Sequence, residues 1–291
     1  MNNHKSYLRY TGSKYRLMDE IRKYIKSPTV LVEPFVGSGT VSINISANEY
    51  HWNDACAAVI NTHRSVMKEA GLIIHNLEYI DSVLYKALGN EQKYYQIRDD
   101  FNRDLSSRWT PMQAARFIYL NKRGFNGLIR FNRSGAFNVP VGRTSSGKER
   151  SLIEGIRGFQ SDLSIRNISK FSAKHFADFM DEYIKRGDDL TGYTFYCDPP
   201  YVPVAAHDFN YVAEGFTAQE QHVLVSKAEQ LRDLGGRVLI SNHDTPFTRS
   251  LYKDADQIVT LKTYRSVAAK QSSRGDVCEL LAIYDHHNKG V

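Results

Sequence analysis

Tyr193-Thr194-Phe195-Tyr196-Cys197-Asp198-Pro199-Pro200-Tyr201 is a largely apolar run that ends on a carboxylate, two prolines and an aromatic ring. The run reads as a buried strand, and the prolines as the turn that stops it, because proline brings no amide hydrogen to a ladder. A carboxylate beside rigid, donor-poor carbonyls suits the exocyclic amino group of a flat base. Asp198 and the Pro199 carbonyl can accept both amino hydrogens, Pro200 keeps the turn stiff, and Tyr201 can stack on the ring. A plain strand and proline turn accounts for the same letters equally well.

A second stretch points the same way. Val30-Leu31-Val32-Glu33 reads as a buried strand running into Pro34-Phe35-Val36-Gly37-Ser38-Gly39-Thr40, a glycine-rich turn where backbone can approach a ligand closely. Asp54 follows Gly39 by 15 residues, after the strand-like Tyr50-His51-Trp52-Asn53, where a carboxylate can accept from ribose hydroxyls. The spacing departs from G-x-G-x-x-G and there is no G-K-[ST], which disfavours NAD and ATP phosphate cradles. S-adenosylmethionine, a nucleoside without phosphates, fits better. Turn glycines are more often purely structural, and Glu33 reads equally as a capping carboxylate.

The 291 residues are enough for one large domain or a domain with an insert. A net charge of +6 permits nucleic-acid binding without requiring it. Cys56, Cys197 and Cys278 lie far apart, without pairing or metal spacing, and the ten histidines include no matching cluster, so no metal is expected. No segment approaches the roughly 20 apolar residues of a membrane span, and the polar start lacks a signal core; the expected location is the cytoplasm.

Helical spacing predicts helices over residues 14–26, 57–86, 111–122, 219–234 and 247–253, with a helical pattern over 41–47. Strands are expected at 165–168, 193–197 and 237–241, and an antiparallel edge pair at 257–264 and 278–284. Strands alternating with helices predict an α/β fold with a mainly parallel, Rossmann-like sheet. Residues 1–56 and 145–291 would form the sheet domain. Residues 57–144 would form a mainly helical insert carrying a β-hairpin at 129–139. Ligand sites in such sheets lie at the carboxyl ends of strands, where Glu33, Asp54 and Asp198 all fall. Phe171, expected just after the 165–168 strand, can wall a cofactor ring, although core packing is the commoner role of a lone phenylalanine.

With Tyr10-Thr11-Gly12-Ser13-Lys14 near the start, this ordered series resembles the Dam-type DNA adenine-N6 methyltransferases. It continues through Asn121-Lys122-Arg123-Gly124-Phe125-Asn126-Gly127-Leu128-Ile129-Arg130-Phe131-Asn132, Gly135 to Arg143, Ile240-Ser241-Asn242-His243-Asp244 and Glu279 to Tyr284, and spans nearly the whole chain. The resemblance implies transfer of methyl from S-adenosylmethionine to N6 of an adenine flipped from duplex DNA, within GATC. The cofactor residues would be Tyr10, Lys14, Glu33, Pro34, Phe35, Gly37, Ser38, Gly39, Asp54, Phe171 and Asp198. Arg130 would read guanine, Leu128 and Pro140 would touch thymine methyls, and Phe125 would wedge into the stack beside the extruded adenine. Asn126 would face the orphaned partner, Arg98 and Arg143 would anchor phosphates, and Arg123, Gly127 and Asn132 complete the DNA-binding set. Tyr10 replaces the family's tryptophan, and Arg9 replaces a lysine associated with the first guanine, which leaves first-base stringency open. A monomer in solution is expected, with more than one copy accommodated on DNA. Alternatives are another adenine motif, a catalytically silent DNA-binding homologue, cytosine-N4 methylation, or a protein-glutamine or RNA substrate.

Overall fold

The computed structural model describes residues 3–105, 109–142, 149–201, 216–264 and 276–286. Its strands are β1 (Val30–Glu33), β2 (Glu49–Asn53), β3 (Ile168–Ser172), β4 (Tyr193–Cys197), β5 (Arg237–His243), β6 (Gln257–Tyr264) and β7 (Asp276–Tyr284). Its helices are α1 (Met18–Tyr24), α2 (Ala57–Tyr79), α3 (Asn90–Arg103), α4 (Pro111–Arg123), α5 (Glu149–Ser164), α6 (Phe176–Ile184), α7 (Ala218–Asp233) and α8 (Pro246–Leu251). Two compact units form, one from residues 16–36, 45–55 and 168–291, the other from residues 1–15, 37–44 and 56–167.

All seven strands lie in the first unit as one sheet, ordered β3-β2-β1-β4-β5-β7-β6. Pairing is parallel from β3 through β5, and β7 runs antiparallel between β5 and β6. Every residue of β1 is buried, the pattern of a parallel strand covered on both faces. Val30, Val32, Phe195, Cys197, Val238 and Ile240 form one core with Phe179 and Met180 of α6 and Leu224, Ala228 and Leu231 of α7. Removing each large side chain from water contributes roughly 1.5–3 kcal/mol, which is what seats these amphipathic helices on the sheet. α7 starts at a capping box in which Thr217 Oγ1 accepts from the Glu220 amide at 3.2 Å and Glu220 accepts from the Thr217 amide at 2.7 Å. The chain order reverses between β1 and β4, which opens a crevice at their carboxyl ends.

The second unit is mainly helical. α4 begins where sequence chemistry asks it to, with Thr110 accepting from the Gln113 amide and Pro111 in the first turn. Residues 124–141 then form an antiparallel ribbon with bridges Gly124↔Val141 and Phe131↔Phe137 in place of the continuous hairpin expected at 129–139. The ribbon is fastened to α3 by side chains acting as a surrogate strand. Asn102 donates to the Phe137 carbonyl at 3.0 Å and accepts from the Phe137 amide at 2.8 Å, and the Tyr94 hydroxyl donates to the Val139 carbonyl at 2.9 Å. Phe137 is buried against Phe101 and Phe117.

Two local expectations are corrected. The pattern at 41–47 yields only a 3-10 turn, Ser42–Asn44. The Ser42 and Ile43 carbonyls, which a continuing helix would need, accept instead from the Arg166 guanidinium at 3.1 and 2.7 Å. The strand expected at 165–168 is displaced, because α5 runs to Ser164, Ile165 is 81% exposed, and β3 opens only at Ile168.

His63, fully buried on α2, lies within 2.7 Å of the Gly37 carbonyl through Nε2 and 2.9 Å of the Tyr7 hydroxyl through Nδ1. Nε2–H therefore donates to Gly37 and Nδ1 accepts from Tyr7, the neutral tautomer. Burial pushes the imidazole from 6.5 down to about 4, with the Gly37 hydrogen bond opposing. An unfolded His63 binds a proton below about 6.5 while the folded one does not until about 4, so stability falls as pH drops through that window, by about 3 kcal/mol at most. Thermal melts from pH 7 to 4 should show this decline, and His63→Gln should flatten it; an unchanged pH slope in the variant would assign the loss to other groups.

Candidate functional site

β2, β1 and β4 are adjacent and parallel, so their carboxyl ends share one edge of the sheet. Glu33 is the last residue of β1, and Asp54 and Asp198 immediately follow β2 and β4. In the register of the three strands Glu33 is level with Trp52, and Asp54 and Asp198 each lie two residues further toward the carboxyl edge than Glu33. Glu33 is 2% exposed and Asp54 8%, whereas Asp198 is half-buried and reachable. Buried carboxylates at strand ends suit hydroxyl and ammonium donors of a small polar ligand.

The turn after β4 is held rigidly. Gln221, buried on α7, donates to the Pro200 carbonyl at 3.1 Å, and Asn242 reaches both Gln221 Oε1 at 3.3 Å and the Tyr252 hydroxyl at 3.0 Å. Tyr201 donates its hydroxyl to Glu279 Oε2 at 2.7 Å, and its ring meets His243 edge-on with centroids 4.7 Å apart. Burial first, then the charges of Asp198 and Glu279, hold the Tyr201 phenol well above its ordinary range, so it remains a neutral donor. Burial, reinforced by Asp198 and Glu33, also pushes the Cys197 thiol up, which makes it a core residue and no nucleophile.

The turn after β1 is fastened by Asn53. Its side-chain amide, fully buried, donates to the Pro34 carbonyl at 2.9 Å and the Lys174 carbonyl at 3.0 Å and accepts from the Lys174 amide at 3.0 Å, while its backbone carbonyl accepts from the Val36 amide at 2.8 Å. Phe35 stacks on Phe176 with centroids 5.2 Å apart. Phe171, expected just after a strand, lies inside β3 and contacts Trp52 edge-on with centroids 5.6 Å apart. Gly37 and Gly39 adopt φ of +48° and +72°, and a Cβ on Gly37 would meet the Tyr10 ring at 2.9 Å, so glycine is required there. Ser38 and Thr40 hydroxyls are 2.8 Å apart, and the buried Lys14 ammonium donates to the Gly12 carbonyl at 2.7 Å.

On the ribbon, Phe125 projects 48% exposed from a tight turn, Phe125–Gly127. Asn126 there has φ of +53°, the left-handed region that asparagine tolerates best among non-glycine residues. The turn is tied down by Asn121, whose amide donates to the carbonyls of Arg9 and Gly127 and accepts from the Arg9 amide, each at 2.9 Å. Arg130 is exposed and oriented by Asn138, through Nε to Oδ1 at 2.7 Å and Nη2 to the carbonyl at 3.2 Å. Leu128 is half-buried and Pro140 exposed on the same ribbon. Asn132 Oδ1 accepts from the Ser134 amide and hydroxyl and the Ala136 amide, which makes it the ribbon's turn-former. Arg98 lies 4.7 Å over the Tyr95 ring and Arg123 5.8 Å over Tyr119. Arg143, residues 144–148 of the basic stretch 144–151, and the basic loop 265–274 lie outside the described residues.

Sequence reasoning assigned no role to Asn53, Asn121, Asn138, Gln221 or Glu279. Each acts on backbone or on a neighbouring side chain, and the signal that could have marked them is a polar residue at a position patterned for burial. Among the described residues no group of three or more His, Cys, Asp or Glu could hold a metal ion, and no helix is long and apolar enough to cross a membrane.

Residues 10–267 match the family described as D12 class N6 adenine-specific DNA methyltransferase. DNA adenine methylase of Escherichia coli K12 is 34% identical, covering 98% of this chain and 96% of its own length. Proteins of the same name from Vibrio cholerae O395 and Serratia marcescens are 32% and 33% identical, covering 99% and 98% of this chain and 98% and 100% of theirs. Together with an Asp-Pro-Pro-Tyr turn at the switch point of a mainly parallel sheet, these matches place the chain in the D12 class of N6 adenine-specific DNA methyltransferases.

Proposed function

We propose that the protein uses S-adenosylmethionine to methylate N6 of an adenine flipped out of duplex DNA within GATC, working in the cytoplasm. The observation that carries this reading is the position of Asp198: half-buried, just after β4, at the same edge of the sheet as Glu33 and Asp54, on a turn braced by Gln221 and Glu279. The residues fit the cofactor. Glu33 and Asp54 offer acceptors for ribose hydroxyls and the amino-acid ammonium, Gly37 and Gly39 leave backbone open to close approach, and Tyr10 and Phe171 offer aromatic walls. Lys14, Pro34, Phe35 and Ser38 complete the set. When bound, the cofactor supplies an electrophilic sulfonium methyl.

The protein's own task is alignment. Asp198 and the Pro199 carbonyl accept the two N6 hydrogens, which directs the nitrogen lone pair out of the base plane, while Tyr201 stacks on the ring. Deprotonation beforehand is unnecessary, because the proton leaves after transfer toward the acceptor already bonded to it. A target nitrogen paired inside a duplex must be extruded at about a few kcal/mol, and contacts from the ribbon offset that cost. Phe125 fills the vacated stack, Asn126 faces the orphaned base, and Arg9 and Arg130 donate to guanines. Leu128 and Pro140 meet thymine methyls. Arg98, Arg123 and Arg143 hold phosphates, while Gly127 and Asn132 shape the turns that present these groups.

Asp198→Ala should lower the rate of methyl transfer by about 10²–10³-fold, the scale of losing one preorganised partner of the reacting group, with an unchanged melting temperature. Near-normal turnover would remove Asp198 from the chemistry. Arg130→Ala should cost roughly 1–3 kcal/mol of discrimination at one base pair, read as kcat/KM for duplexes substituted there, and leave the other positions discriminated as before. Equal losses on all duplexes would make Arg130 a backbone contact.

A further inference from the structure

The amino-terminal segment carries a cleft whose cation Lys5 the proposed roles leave unused. Tyr7 and Leu8 are buried, while Lys5 and Arg9 are exposed four residues apart. A cleft of about 480 Å³ opens beside them, lined by Lys5, Arg9, Tyr10, Tyr15 and Asn126 together with the hydroxyl residues Ser6, Thr11 and Ser13. Among the described residues its lining holds two cations and no carboxylate. Lys5 Nζ lies 4.9 Å over the Tyr15 ring, which steadies the ammonium without neutralising it. The Arg9 guanidinium spends one donor on the Lys122 carbonyl at 3.3 Å and keeps others for a ligand.

The cleft is rigidly coupled to the wedge turn. Asn126 is one of its walls, and Asn121 hydrogen-bonds the amino-terminal segment at Arg9 and the 125–127 turn at Gly127. A Cβ on Gly127 would lie 2.5 Å from that of Arg9, so the Gly127 backbone packs directly against the Arg9 side chain. The cations Lys5 and Arg9 and the hydroxyls beside them, with no described carboxylate in the lining, suit an anion with several acceptor oxygens. Its position beside exposed Phe125 makes that anion a phosphodiester of the duplex into which Phe125 inserts.

We propose that this cleft is a backbone-phosphate site of the DNA substrate, with Lys5 as its ion-pairing residue; the proposal rests on the reading of the ribbon as DNA-binding. A phosphate held here positions the strand at the wedge without reporting sequence.

The test is equilibrium binding of the full-length protein to a GATC duplex and to a scrambled duplex across a salt series. Lys5→Ala should reduce the slope of log K against log salt by about 0.9 and weaken binding roughly eightfold at 0.1 M, equally for both duplexes. Lys5→Arg should retain the wild-type slope. An unchanged slope and affinity in Lys5→Ala would overturn the proposal. So would a loss confined to cofactor affinity or to first-base discrimination, which would assign the cleft to another ligand. Wild-type protein with no salt-dependent duplex binding would overturn the DNA reading itself, and the proposal with it.

Discussion

The parallel pairing of β2, β1 and β4 is the constraint on which the rest depends. Parallel strands end at the same edge, so three carboxylates separated by up to 165 positions in sequence become neighbours once the register is set. With both faces of β1 buried, a one-residue slip would exchange the sides on which Leu31 and Val32 pack and carry Glu33 out of its level with Trp52. The chemistry of the site is thus a consequence of sheet topology, and no loop has to be long or specially shaped to assemble it.

Buried carboxamides fasten the loops that carry function. Asn53 holds the turn after β1, Gln221 with Asn242 and Tyr252 holds the turn after β4, and Asn121 holds the turn at Phe125–Gly127. An uncharged amide can donate and accept at once, so it satisfies stranded backbone groups without the desolvation cost of an ion. Stiffness of this kind matters for a reaction whose barrier is lowered chiefly by alignment, because a displacement of about 1 Å in a positioning group can cost roughly 10²-fold in rate.

Much of this was legible in the sequence. Hydrophobic runs ending on Glu33, Asn53 and Cys197 marked strands because parallel strands are apolar on both faces, and the antiparallel pair near the end followed from two runs flanking a basic loop. Gly37 and Gly39 were recognisable as turn glycines, and their positive φ values supply the reason. The stretch at 165–168 was illegible for a physical cause: its apolar letters suit a helix end and a strand start alike, and Arg166 decides by binding the backbone at Ser42 and Ile43, a contact across more than 120 residues. The amide braces were invisible for the same reason, since their partners are distant in sequence.

The most direct test of the account is to incubate the purified protein with S-adenosylmethionine and unmethylated plasmid and to map N6-methyladenine at single-base resolution. The account predicts modification confined to the adenines of GATC. Modified adenines in a different motif would contradict the base-reading assignments of the ribbon, and a plasmid free of N6-methyladenine would contradict the central claim.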